Sequence, residues 1–452
     1  MPQQLKVSPH IFTPLSPSLV TTKTTVIRSS FLHFIDKPMK GKPISEAYQY
    51  IPDGLMIIEE GKIISLTPFN DKDADLYSDI EDKRGKLIIP GFIDTHVHYP
   101  QTQIIASYGE QLLEWLESYT FPTEQLFSDK KYAQKISKFF LNELLKNGTT
   151  SALVVPTVHS QSVDALFEEA QKLNMRLISG KVMMDRNAPE YLLDTAQSSY
   201  DESKDLIEKW HNKGRLQYAI TPRFAPTSTR EQLRLAGKLK SEYPDVYVQT
   251  HLSENKNEIE WVKSLFPERD GYFDVYEHYG LTGNKSIFAH SIHLTDKEWD
   301  SFSRTNSVIS FCPTSNLFLG SGLFNFTKAE QKNIRVGLAT DIGAGTSFSQ
   351  LQSLNEAYKI MQLQGEKLSA FEGLYLATLG SAKSLSLDNK IGNFTAGKEA
   401  DFVVLNWTAS DLQKLRYQYS ATLEDKLFAL IMLGDDRNIS ATYVAGEMVY
   451  SN

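Results

Sequence analysis

The stretch GKLIIPGFIDTHVH, residues 85–98, decides the fold. Its apolar run reads as a buried strand over 87–98, and its last residues carry His96 and His98 two positions apart. Residues two apart on a strand point to the same side, so both imidazoles leave the strand's carboxyl end together. That end is where barrels and open α/β sheets keep their chemistry. Neutral imidazole is a common metal ligand, but a bare HxH pair equally suits two histidines bordering a strand. The rest of the chain has to decide.

Working outward, seven further buried strands are predicted at 149–155, 176–184, 216–224, 246–253, 286–292, 307–312 and 335–343. Most are separated by helix-length segments. Residues 131–147 and 230–243 have amphipathic helical spacing, and Gly148 follows the first as a helix stop. Eight strands alternating with helices predict an α/β fold, a (β/α)8 TIM-type barrel. Short β-rich segments at 24–35, 54–69, 400–407 and 439–451 flank it, with turns expected at Glu60-Gly61 and Ala445-Gly446. They predict a small β domain built from both termini. The expected organisation is 1–85 as an N-terminal arm plus the first part of that domain, 86–390 as the barrel, and 391–452 as its second part.

A chain of 452 residues suits a barrel enzyme with an appended domain, and 41% hydrophobic content permits a large core. The net charge of −8 disfavours a nucleic-acid partner and favours a small neutral substrate. Cys312 is the sole cysteine, so an intrachain disulfide and a thiolate-rich zinc site are both excluded; it reads as packing material. The start of the chain lacks the pattern of a signal peptide, and no apolar run approaches bilayer-spanning length. A cytoplasmic location without a membrane partner is expected.

In barrel order, the reactive residue types fall where strands end. Strand one gives His96 and His98, strand five His251, strand six His290 and strand eight Asp341. Singly, each suits a core histidine or a turn aspartate. Together they form the nitrogen and oxygen set that zinc or iron takes in catalytic sites. Glu254, three residues after His251, is expected to curl over the metal and relay protons. The alternative is a solvated glutamate opening the next helix. Asp94 shares the parity of His96 and could orient an imidazole or simply face a turn. Arg223 and Phe224, between Pro222 and Pro226, could bind a carbonyl and stack on a planar ring, or serve as a salt bridge and a core residue.

The segments PGFIDTHVHYPQ (90–101), SYGEQLLEWLESYTFPTE (107–124), TPRFAPT (221–227), THLSEN (250–255) and FCPTSNLFLGSGLF (311–324), with the closing ATDIG, resemble the amidohydrolase superfamily and, within it, the guanine deaminases. The resemblance implies that His96, His98, His251 and Asp341 bind one zinc ion per chain. It implies that His290 contacts the attacking hydroxide or the tetrahedral centre, and that Glu254 shuttles protons. Gln101 and Arg223 would hold the polar edges of the purine, with Phe224 against its ring. Trp115 and the 109–121 segment would help enclose the pocket, and His98, His251, Glu254 and Asp341 would also face substrate. The implied reaction is hydroxide attack on C2 of guanine, releasing ammonia and leaving xanthine, in purine catabolism or salvage. A homodimer is implied as well.

Several alternatives share parts of this pattern. Another deaminase or chlorohydrolase of the superfamily would use the same metal ligands, so the TPRF loop and Gln101 are the discriminating features. A two-metal hydrolase would need a bridging lysine, for which Lys181 is the tempting residue, although a structural lysine is the better reading. The cytidine-deaminase fold needs a cysteine pair that this chain lacks. A non-catalytic scaffold on the same barrel would be expected to lose metal ligands, whereas this chain retains the whole set.

Overall fold

A computed structural model describes residues 23–39, 41–109 and 111–452. The expected N-terminal arm lies largely outside them. Four strands precede the barrel: β1 (Thr24–Phe34), β2 (Tyr48–Glu59), β3 (Lys62–Pro68) and β4 (Ile80–Pro90). The barrel strands are β5 (Phe92–His98), β6 (Thr149–Val155), β7 (Arg176–Ser179), β8 (Val182–Met183), β9 (Leu216–Pro222), β10 (Tyr247–Leu252), β11 (Ser286–His290), β12 (Val308–Phe311) and β13 (Arg335–Leu338). Three close the chain: β14 (Phe402–Asn406), β15 (Ile439–Val444) and β16 (Glu447–Ser451).

The barrel pairs its strands in parallel in the order β13-β12-β11-β10-β9-β7-β6-β5, with β8 added on β9. Two backbone bonds join its ends: Asp341 N–H donates to His96 O at 3.0 Å, and His98 N–H donates to Ile342 O at 2.9 Å. Ile93, Leu153, Ile178, Ala219, Tyr247, Ile287 and Val308, one from each of seven strands, form a single apolar cluster. Ala382, Leu385, Leu387 and Ile391 complete it. Opposite faces pack on the surrounding helices, as the buried face of Lys130–Lys146 does with Phe140, Leu141, Leu144 and Leu145.

The structure corrects three strand expectations. Residues 87–98 are not one strand. Those before Gly91 pair with β1 and β14 in the terminal sheet, and those after it enter the barrel. A Cβ on Gly91 would lie 2.1 Å from Thr150 Oγ1, so the chain passes β6 where a side chain would collide. Likewise 176–184 divides into β7 and β8, because a Cβ on Gly180 would meet the Ala219 carbonyl at 1.8 Å. The eighth strand ends at Leu338, and 339–343 continue as irregular chain that carries Asp341.

The terminal sheet has seven strands in the order β16-β15-β14-β4-β1-β2-β3, drawn from both ends of the described chain. Its two hairpins turn where expected, at Glu60-Gly61 (φ 49° and 77°) and Ala445-Gly446 (φ 47° and 75°). Positive φ at both central residues suits the twist of the flanking strands. A charged clasp ties this sheet to the barrel. Arg176 reaches Glu399 at 2.5 Å, and Arg215 reaches Glu399 at 2.6 Å and also pairs with Asp401.

Candidate active site

His96 and His98 leave the end of β5, His251 the end of β10, His290 the end of β11, and Asp341 the segment after β13. Barrel closure brings them to one buried point. His98 Nε2 lies 3.1 Å from His96 Nε2 and 3.2 Å from His251 Nε2. Asp341 Oδ1 lies 3.3 Å from the Nε2 atoms of both His96 and His98. Tetrahedral ligands held about 2.0 Å from a zinc ion stand about 3.3 Å apart, so these spacings fit such an ion. Ligand atoms of His96, His251, His290 and Asp341 also lie within 4.8 Å of one another. His98 and His290 are thus both within reach of the centre, and His98 has the shorter separations.

The chemistry of the donors agrees with the spacing. His251 donates Nδ1–H to the Arg223 carbonyl at 2.8 Å, which leaves its Nε2 as a bare lone pair facing His98. Burial lowers the pKa of His96, takes that of His98 down to about 3, and holds His251 well below the ordinary imidazole value. All three are therefore neutral, the form that ligates. Burial opposes the charge on Asp341, but the neighbouring His96 and His98 side chains outweigh it and keep the carboxyl well below its ordinary value. Nε2 atoms 3.1–3.2 Å apart repel one another when they present lone pairs, and a cation between them turns that repulsion into ligation.

Glu254 follows β10 and sits beside this cluster, with Oε2 3.3 Å from His290 Nε2 and Oε1 accepting from Ser321 Oγ at 3.2 Å. Burial, reinforced by the negative charge of Asp341, raises its pKa to about 8. It is not solvated, although the next helix does begin at Lys256 with Asn255 as its cap. His290 donates Nδ1–H to Asn316 Oδ1 at 2.9 Å, so its Nε2 faces the carboxylates.

The cluster opens into a pocket of about 420 Å³, counted to its open mouth. His98, His251, His290, Glu254, Asp341, Gln101, Arg223 and Phe224 line it, and Trp115 closes it together with Leu112, Leu116, Leu319 and Ala344. Of the 109–121 segment, these three residues from 112, 115 and 116 form the wall, and residue 110 lies outside the described residues. A chamber with apolar walls and a few convergent polar groups suits a small planar ligand.

The structure decides among the roles open to three further residues. Asp94 does not orient an imidazole. Its Oδ1 accepts from the backbone N–H groups of His96 (3.3 Å) and Thr340 (3.1 Å), and its other oxygen takes the Thr340 hydroxyl. It fixes the two backbones that bear the ligands. Lys181 is committed to Asp194, with Glu202 at 3.5 Å, as a structural lysine would be. Cys312 packs with Ala289 and Ala339, and burial pushes its thiol well above the usual range.

Three site residues escaped the sequence reading. Glu124 is fully buried behind Arg223, whose Nη1 donates to its two oxygens at 3.0 and 2.8 Å. Glu258 accepts from the backbone N–H groups of Glu254 (2.9 Å) and Asn255 (3.0 Å) and from the Tyr272 hydroxyl (2.7 Å). Asn316 orients His290. Each looks like an ordinary helix-end polar residue in sequence. The one available signal was an acid set among aromatics in the run YTFPTE.

The chain is similar to known proteins over most of its length. The amidohydrolase family matches residues 87–449. Guanine deaminase of Escherichia coli K12 is 60% identical over 429 residues, covering 94% of this chain and 97% of that protein. The solved E. coli guanine deaminase superposes with a TM-score of 0.92 at 59% identity, covering 95% of this chain and 100% of that one. A guanine deaminase from C. acetobutylicum, solved with guanine bound in its active site, gives a TM-score of 0.85 at 33% identity, covering 95% and 100%. The chain belongs to the amidohydrolase family and, within it, to the guanine deaminases.

Proposed function

We propose that this protein hydrolyses guanine to xanthine and ammonia, as a step of purine catabolism or salvage. The observation that carries the reading is one pocket lined both by the histidine–aspartate cluster with Glu254 and by the forked donor Arg223 with Phe224. One half is hydrolytic machinery and the other fits a flat base with polar edges. The relatives' activity, and guanine in the C. acetobutylicum structure, support the same substrate.

His96, His98, His251 and Asp341 would hold one zinc ion. When bound, zinc lowers the pKa of water so that hydroxide is available near neutral pH. Asp341 is an ionised carboxylate that would stand beside the attacking water and could take its proton. Burial favours the protonated form of Glu254, which can give its proton to the ring nitrogen next to C2 as oxygen adds there. The carbon becomes tetrahedral, with His290 against its new oxygen. Glu254 then passes the hydroxyl proton to the exocyclic amine, the C2–N bond breaks, ammonia departs as the C2 carbonyl forms, and the proton held on Asp341 returns to Glu254 to reset the site. Water and guanine thus balance xanthine and ammonia.

Arg223 and Gln101 would take the polar edge of the base, with Phe224 against its face. A guanidinium can only donate, so it accepts a carbonyl at position six and disfavours the amine that adenine carries there. The expected partners are the purine and a second copy of the chain, in the cytoplasm. The test is incubation of purified, metal-quantified protein with guanine. Stoichiometric xanthine and ammonia are expected; ammonia from adenine, cytosine or a triazine, but none from guanine, would assign the chamber to another heterocycle.

A further inference from the structure

Arg223 stands on the chamber wall, but the group that holds it does not. Glu124 is 0% exposed and lies behind the wall, gripping Arg223 Nη1 with both oxygens at 3.0 and 2.8 Å. Its Oε1 also accepts from Gln101 Nε2 at 3.3 Å, while Gln101 Oε1 accepts from the Gly343 N–H at 3.3 Å. Both side chains assigned to the purine edge are therefore tethered to a single carboxylate. Glu124 ends the short helix Phe121–Glu124, and the Phe121 ring lies 5.6 Å from the Arg223 guanidinium carbon.

Charge gives this arrangement a second consequence. Guanidinium is permanently cationic, and a buried cation without a partner attracts any anion that enters its cavity. With the Glu124 carboxylate behind it, Arg223 offers N–H donors and little net charge. Substrate and product differ in just this property. Deamination replaces the C2 amine with a second carbonyl and leaves a further ring N–H beside it, so xanthine is the stronger acid and carries more negative charge at a given pH.

We propose that Glu124 is a positioning residue that aims Arg223 and Gln101 at the purine edge and cancels the Arg223 charge, so that the chamber retains the neutral substrate and releases the anionic product. The proposal rests on guanine deamination as the activity. It goes beyond it by assigning product discrimination to a residue that touches no substrate.

Zinc-loaded wild type and Glu124→Gln are compared by direct calorimetric titration with xanthine between about pH 6 and pH 9, alongside KM and kcat for guanine. Glu254, Glu258, Asp341, His98, His251 and His290 also face the chamber. They are common to both proteins, so the comparison at each pH cancels their titration. Glu124→Gln is expected to bind xanthine about tenfold more tightly, with the gap widening as pH rises, and to raise KM for guanine about tenfold. Glu124→Asp, which keeps the charge on a shorter arm, should restore weak xanthine binding without restoring KM. Unchanged xanthine affinity in Glu124→Gln at every pH overturns the proposal. If that variant does not fold, wild type decides: its xanthine Kd, divided by that for the less acidic one-carbonyl purine hypoxanthine, must rise with pH, and a constant or falling ratio overturns it. Titration is independent of turnover, so a wild type that leaves guanine unchanged refutes the activity separately.

Discussion

The backbone N–H of Asp341 donates to the carbonyl of His96 at 3.0 Å, so the first and last barrel segments are bonded together at the residues that converge on the cluster. Asp94 secures the junction by accepting from the His96 and Thr340 amides on either side of the seam. Ligand spacing is thus set by closure of the barrel rather than by flexible side chains.

Removing that brace should loosen the cluster without removing a ligand. Asp94→Ala is expected to weaken zinc affinity about 10–100-fold, the usual cost of losing an outer support. Competition with a chromogenic chelator reads it, and wild-type affinity in a folded Asp94→Ala protein would contradict the role.

Glu254 touches His290 and Ser321 and lies next to the ligands rather than among them. Glu254→Gln should retain one zinc per chain and lose activity by about 10²–10⁴-fold, as expected for a proton shuttle. Metal analysis alongside kcat distinguishes this from loss of the ion. A fully active variant would remove Glu254 from the mechanism.

Buried carboxyls give the metal-free protein a pH signature. Burial is the first cause raising Asp94 to about 7, Glu258 to about 7 and Glu254 to about 8. A carboxyl that holds its proton longer when folded stabilises the fold at low pH and loses that contribution as pH climbs through its folded value. His96, His98 and His251 act oppositely, but their contribution is complete above the ordinary imidazole value of 6.5. Between about pH 6.5 and 8, chelator-treated protein should therefore lose stability on the order of 2 kcal/mol. Urea unfolding at each pH measures it. Zinc, whose charge favours the carboxylates, should flatten the decline, and a midpoint that rises with pH without metal would contradict the assignment.

The clasp between barrel and terminal sheet is a separate matter of stability. Arg215 is largely buried against Glu399 and Asp401. Arg215→Met leaves these acids short of a partner and should cost about 3–5 kcal/mol. Chemical denaturation with zinc present reads the loss; a change below about 1 kcal/mol would show that the pair is screened by solvent.

The barrel was legible because strand ends and reactive residues share one rhythm along the chain. β6, predicted at 149–155, spans those residues, and the helix read at 131–147 runs Lys130–Lys146. Where a continuous apolar run crosses from one sheet to another, composition carries no mark, and the break at Gly91 was read as strand. Its cause is a close approach to Thr150, which only the folded chain reveals. The converging histidines could be found because each ends a strand. Glu124 could not, since its partner Arg223 is 99 residues away and an acid after Phe-Pro-Thr resembles a helix-turn residue. Glu258 was hidden similarly: its spacing from Asn255 makes a capping box, which is real, while the bond it accepts from the Tyr272 hydroxyl is tertiary.

Zinc titration of the chelated protein, with ammonia release from guanine followed at each addition, tests the core of the mechanism most directly. Activity should rise in proportion to bound zinc and level off at one ion per chain, with xanthine equal to ammonia. Full activity without metal, or a plateau that requires two ions, would contradict a single centre held by His96, His98, His251 and Asp341.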